Sequence, residues 1–188
     1  MNLSSKLLRI CTGVQAAAII AISMPVSTSY AAAPDPNWHV VKTQYKTDDY
    51  VIAGYEAKDF GISANGRTDV TEKIQTALDE LYKIGGGTLF LPAGRYVVKG
   101  TLKIPQGVIL AGDWQSPDEN NGKAAGTILM AYSGRGENDI NDNYDSETEN
   151  MPFITLEPNA SIKGINIWYP EQAPDNIVPY PTTIRMYD

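Results

Sequence analysis

Cysteine and histidine are nearly absent from this chain: Cys11 and His39 are the only ones. One histidine cannot build a His-cluster zinc site, and without a second thiol no intrachain disulfide can form. Long apolar runs are missing too. The longest, from Ile10 to Met24, is interrupted by Gln15 and followed by Pro25, and it falls short of the roughly 20 residues that cross a bilayer. Basic charge is in deficit, with 15 Lys and Arg against 22 Asp and Glu and a net charge of −7. That balance opposes nucleic-acid binding, which needs a basic surface.

What is present begins with the pattern of a secretory signal over 1–33. Lys6 and Arg9 form a basic start, the apolar run follows, and small residues precede Ala31 and Ala33. The expectation is export to the extracellular space, with no membrane association after cleavage. Cys11 leaves with the signal and is preceded by Leu8, Arg9 and Ile10, which is not the small-residue approach of a lipoprotein site. Its loss also removes any Cys-His nucleophilic pair. The remaining 155 residues carry a charge of −9 and suffice for one domain held without crosslinks. An acidic polymer would need a local basic patch or a bridging cation to bind such a chain.

Residues 34–56 are polar with scattered aromatics and read as an extended lead-in ending in a strand at 50–53. Asp69, with Glu72 three residues on, has the spacing of a capping box, and Ile74, Ala77, Leu78 and Leu81 then share one helical face. A helix over 70–84 follows, stopped by Gly85, Gly86 and Gly87. Beyond it the period changes. Short β-branched and aliphatic runs at 88–91, 95–98, 101–104, 108–111, 127–132, 153–156 and 161–168 read as strands, separated at first by Pro and Gly turns. An antiparallel sandwich and a parallel β-helix both accommodate such a run. Repeated fragments such as Gly107-Val108-Ile109-Leu110-Ala111-Gly112 and Ser161-Ile162-Lys163-Gly164-Ile165-Asn166-Ile167 lean toward stacked coils.

Three segments carry a resemblance: Lys58-Asp59-Phe60-Gly61, Asn65-Gly66-Arg67-Thr68-Asp69, and the stretch from Gly86 to Tyr96 that contains Gly87-Thr88 and Pro92-Ala93-Gly94. Together they resemble the N-terminal entry of the pectate-lyase-like superfamily, in its rhamnogalacturonase and epimerase branch. Asn65-Gly66 departs from the usual Asp-Gly but still suits a turn. The resemblance implies an all-β fold, a right-handed single-stranded parallel β-helix with an N-terminal capping α-helix, over 57–188. It also implies a secreted carbohydrate-active protein with a polysaccharide partner, either a glycoside hydrolase or a polysaccharide lyase or epimerase. The alternative is a noncatalytic carbohydrate-binding or surface-attachment module. Asp59-Phe60-Gly61 copies a kinase magnesium motif, but no glycine-rich nucleotide loop accompanies it. Catalytic residues of the family generally lie on later coils, so none is assigned in this chain. The segment from Tyr180 to Asp188 reads as a strand entering another coil, as in a truncated β-helix.

Two clusters remain as candidate sites. Asp139, Asn141, Asn143 and Asp145 alternate as oxygen ligands in a calcium loop do. Tyr144, though, stands where such a loop wants Gly, and Asn150 where it wants Glu. The stretch reads either as a Ca²⁺ site or, by the commoner rule, as a solvated acidic loop. Polar loops over 113–126 and 133–150 could wall a groove, with Trp114, Trp168, Tyr169 and Glu171 available to stack and hydrogen-bond a sugar. Arg135 and Arg185 are further contacts for an anionic one. The bland reading of these residues is aromatics packed under loops and solvated charges. Oligomeric state is left open by the sequence.

Overall fold

Strands of two to seven residues, each ended by a turn, are laid by this chain into three parallel sheets. The structure, a computed structural model, describes residues 33–120, 123, 125–136 and 151–187. In chain order the strands are β1 (His39–Val40), β2 (Ile52–Ala53), β3 (Tyr55–Glu56) and β4 (Asn65–Asp69). After helix α1 (Thr71–Lys83) come β5 (Gly87–Leu91), β6 (Gly94–Val98), β7 (Leu102–Ile104), β8 (Val108–Gly112), β9 (Trp114–Gln115) and β10 (Ala125–Ala131). The last four are β11 (Ile154–Leu156), β12 (Ser161–Lys163), β13 (Ile165–Trp168) and β14 (Ile184–Met186).

The first sheet runs β3-β5-β8-β12, the second β4-β6-β10-β13 and the third β7-β11-β14. From β5 onward the chain visits the three sheets in turn, so each round lays one parallel strand beside its predecessor. The stacked pairs are parallel, unlike those of an antiparallel sandwich. Among the described residues, antiparallel strand pairs are confined to β1-β2 and β9-β10. Register converts the sequence into rows: Tyr55, Leu89, Leu110 and Ile162 align in the first sheet. Tyr96, Leu129 and Ile167 align in the second, and Leu102, Ile154 and Ile184 in the third. Apart from Ile184, which is exposed, these rows share one core. Each fully buried Leu or Ile contributes about 1.5–3 kcal/mol relative to an exposed one.

Helix α1 presses Ile74, Ala77, Leu78 and Leu81 into that core, all fully buried, against β5, β7 and β8. Its start differs from the expected capping box. Asp69 Oδ1 accepts from the Thr71 amide at 3.0 Å and the Thr71 hydroxyl at 2.6 Å, and Glu72 takes no part. The helix ends as Gly86 N–H donates to the Leu81 carbonyl at 2.8 Å. Gly87, at φ +139°, has a second duty: a methyl group there would stand 2.4 Å from the Trp38 indole, which also lies against Gly54.

The lead-in is folded rather than merely extended. β1 and β2 pair, and Val41, Val51 and Ala53 pack on Phe90 and Ala111 at the outer face of the first sheet. His39 Nε2 and Lys58 Nζ each lie 2.8 Å from Glu56 Oε1. Burial works against the Glu56 charge, yet these two hydrogen bonds outweigh it and hold the carboxyl below its ordinary value. The carbonyl of Asn37, and then Glu56, raise His39 above the ordinary imidazole value. Gly164 splits the expected 161–168 strand into β12 and β13, and β4 begins at Asn65-Gly66, where a turn is expected.

Candidate functional site

Because Leu102, Ile104, Ile154 and Leu156 point inward, the residues between them point out. Lys103, Thr155 and Arg185 therefore form one row on the outer face of the third sheet, at the roughly 4.8 Å spacing of paired strands. Lys103 Nζ meets Glu157 Oε1 at 2.5 Å, and Glu157 Oε2 accepts from the Gln106 amide at 3.1 Å. The Lys103 hydrogen bond is the main cause of a lowered Glu157 carboxyl, and the same contact raises Lys103. Helix α1 braces this strand through Gln75. Its side-chain amide donates to the Lys103 carbonyl and accepts from the Lys103 N–H, both at 2.9 Å. Beside the row lies a depression of about 380 Å³ bounded by Thr101, Met151, Thr155, Glu157 and Tyr187.

A second concavity, about 470 Å³, opens between the lead-in and the start of β13. Thr43, Lys46, Asp48 and Asp49 line it from the lead-in, and Trp114 and Lys163 from the coils. Asp113 fixes its geometry. This buried carboxylate accepts hydrogen bonds from the backbone N–H groups of Gln44 and Tyr45. Its own N–H donates to Thr127 Oγ1 at 2.8 Å, and that hydroxyl donates to the Leu91 carbonyl at 2.6 Å. Asp113→Ala is expected to cost about 1–3 kcal/mol, because two amides and a docked loop lose their acceptor. Urea titration measures the loss, and limited proteolysis should cut first within 43–49; an unchanged midpoint would contradict this role for Asp113.

Of the residues singled out from sequence, Tyr169, Glu171 and Arg135 come together around Tyr180, while Trp114 and Trp168 stand apart. Trp114 is half-exposed at the second concavity. Trp168, 41% exposed, sits toward the other end of the second sheet with the Arg95 guanidinium 5.4 Å from its ring centre. Tyr169 packs inward: its ring lies 6.3 Å from Phe153 and 4.6 Å from Tyr180, and its hydroxyl lies 2.8 Å from Thr183 Oγ1. Glu171 pairs with Arg135 at 3.3 Å and accepts from the Tyr180 hydroxyl at 3.3 Å. Asp139, Asn141, Asn143 and Asp145 lie outside the described residues, and the described residues hold no group of three or more metal-ligating His, Cys, Asp or Glu. Sequence reasoning passes over Lys103, Glu157, Lys46 and Lys163. Strand alternation marks Lys103 and Lys163 as outward, but only register shows what stands beside them.

Residues 55–175 match the family described as Rhamnogalacturonase A/epimerase, pectate lyase-like, and the chain belongs to it. Among curated relatives, alginate lyase 7 of Azotobacter vinelandii is 45% identical over 56 residues, 30% of this chain and 6% of that protein. Mannuronan C5-epimerase AlgE1 of the same organism is 39% identical over 93 residues, 43% of this chain and 7% of that one. The tail spike protein of Shigella phage Sf6 is 35% identical over 134 residues, 68% of this chain and 19% of that one. The chain thus spans a small fraction of the length of these relatives.

Proposed function

We propose that this chain is the N-terminal part of an exported enzyme acting on a polysaccharide of uronic acids, as lyase, epimerase or hydrolase. In this reading the coil is a right-handed single-stranded parallel β-helix, and α1 closes its N-terminal end. Right-handedness follows from the strong bias of parallel crossover connections, and a helix laid over an open stack shields strand edges and core from other chains. The observation that carries the function is the Lys103-Thr155-Arg185 row, two cations flanking a threonine on one outer face of a chain whose net charge is −7; a polymer carboxylate would take the place of Glu157 on Lys103. Such a row suits an anionic polymer laid along it. The names of the two Azotobacter relatives, alginate lyase and mannuronan epimerase, denote enzymes of that substrate class.

Cations beside a uronate carboxylate neutralise it and make the neighbouring carbon-bound proton easier to abstract, the step that a lyase and an epimerase share. No catalytic base is assigned in this chain. The test is the full-length exported protein on polymannuronate and polygalacturonate. A lyase yields unsaturated ends that absorb ultraviolet light, a hydrolase yields reducing ends without that absorption, and an epimerase inverts C5 with chain length unchanged. Lys103→Glu should weaken polymer binding about tenfold or more, the loss of a charge-assisted contact. A protein with no interaction with either polymer would refute the proposal. The tail spike match, which covers 68% of this chain, favours a second reading as a surface-attachment module. Binding without any of the three products would select it.

A further inference from the structure

We infer that the concavity between the lead-in and β13 is a second saccharide site, separate from the row on the third sheet, for a uronate ring that stacks on Trp114. It rests on the reading of the protein as acting on uronate polymers, but uses different residues on a different face. Trp114 offers a half-exposed indole at the edge of a space of about 470 Å³, within the usual range for small-ligand sites. Around it stand Lys46, Asp48, Asp49 and Lys163. Their side chains, and the Trp114 indole N–H, have no hydrogen-bond or ion-pair partner among the described residues, whereas Lys58, also exposed, is paired with Glu56.

The mixture of signs selects the ligand. A doubly charged phosphate or sulfate would face Asp48 and Asp49 as well as the two lysines. A uronate carries one carboxylate, which Lys46 and Lys163 can take, and several hydroxyls, which donate to Asp48 and Asp49. Its apolar ring face fits the indole. Gly112 and Gly164 add no side chain to the concavity they help to line, leaving the room to Trp114 and Lys163. Asp113 holds the lead-in wall through the Gln44 and Tyr45 amides, so the site exists only when the lead-in is docked.

The chain has three tryptophans, so its indole N–H resonances report separately once Trp114→Ala identifies one of them. Titrating the ¹⁵N-labelled protein with a mannuronate trisaccharide should shift the Trp114 signal in a saturable way, and cellotriose should not. Calorimetry should show more than tenfold weaker binding to this site in Trp114→Ala and in Lys163→Gln, with Lys83→Gln on helix α1, which lines neither concavity, unchanged and thermal midpoints confirming folded proteins. An unmoved Trp114 signal, an equal response to cellotriose, or full affinity in both cleft variants would overturn the inference. Mannuronate binding that is lost only in Lys103→Gln would overturn the cleft and leave the proposed function standing. Failure of any uronate to bind either face would remove both.

Discussion

Replacing Gly126 by alanine is expected to destabilise the protein by more than about 3 kcal/mol, or to prevent folding outright. Gly126 sits at φ +79°, and a methyl group on it would stand 2.1 Å from the Asp113 carbonyl oxygen. An L-residue in left-handed backbone costs about 1–2 kcal/mol by itself. The clash adds more, because its partner is a main-chain oxygen already accepting from the Thr127 N–H at 2.8 Å and cannot rotate aside. Relief would require β9 to leave β10, taking Trp114 and the Asp113 anchor with it. Gly85→Ala is the control: Gly85 also has positive φ, +98°, but open space around it, so only the backbone strain of about 1–2 kcal/mol should appear. Denaturant midpoints of the two variants decide the matter. Equal losses would show that the contact is easily relieved.

Leu110→Ala should cost about 3–4 kcal/mol, within the range for a leucine removed from a close-packed interior. Leu110 is fully buried in the row between Leu89 and Ile162. A parallel stack cannot collapse around the vacancy, because the strands on both sides are held at fixed spacing by their ladders. Ile162 is only partly buried, and Ile162→Ala should therefore cost distinctly less. Urea unfolding with an unchanged slope would measure both losses. A loss below about 1 kcal/mol for Leu110→Ala would mean that the interior repacks, contrary to the rigid-stack picture.

Much of the coil is legible in the residues themselves, because local chemistry governs it. The face Ile74, Ala77, Leu78 and Leu81, the glycine stop after α1 and the strands around Pro92-Ala93-Gly94 stand as their spacing requires. The lead-in is opaque for a physical reason. Its strands β1 and β2 have two residues each, too few for a period, and their burial depends on Phe90 and Ala111 far along the chain. The same contact explains why Leu89, Phe90 and Leu91 are all buried: one face of β5 meets the core and the other meets the lead-in, so no alternation survives in the sequence. Trp114 is conspicuous as the lone large apolar residue of a polar loop. Its neighbours Lys46 and Lys163 are not, since proximity between residues roughly 50–70 positions apart comes from folding alone.

The seat of Trp38 on Gly54 and Gly87 places a fluorophore at the seam where the lead-in meets the first coil. With Trp114 and Trp168 changed to phenylalanine, emission would follow that seam alone while circular dichroism follows the strands. If the two signals fall together in denaturant, lead-in and coil form a single cooperative unit. If emission moves first, the lead-in is a separate layer of lower stability, and the Asp113-anchored wall opens while the coil stays folded.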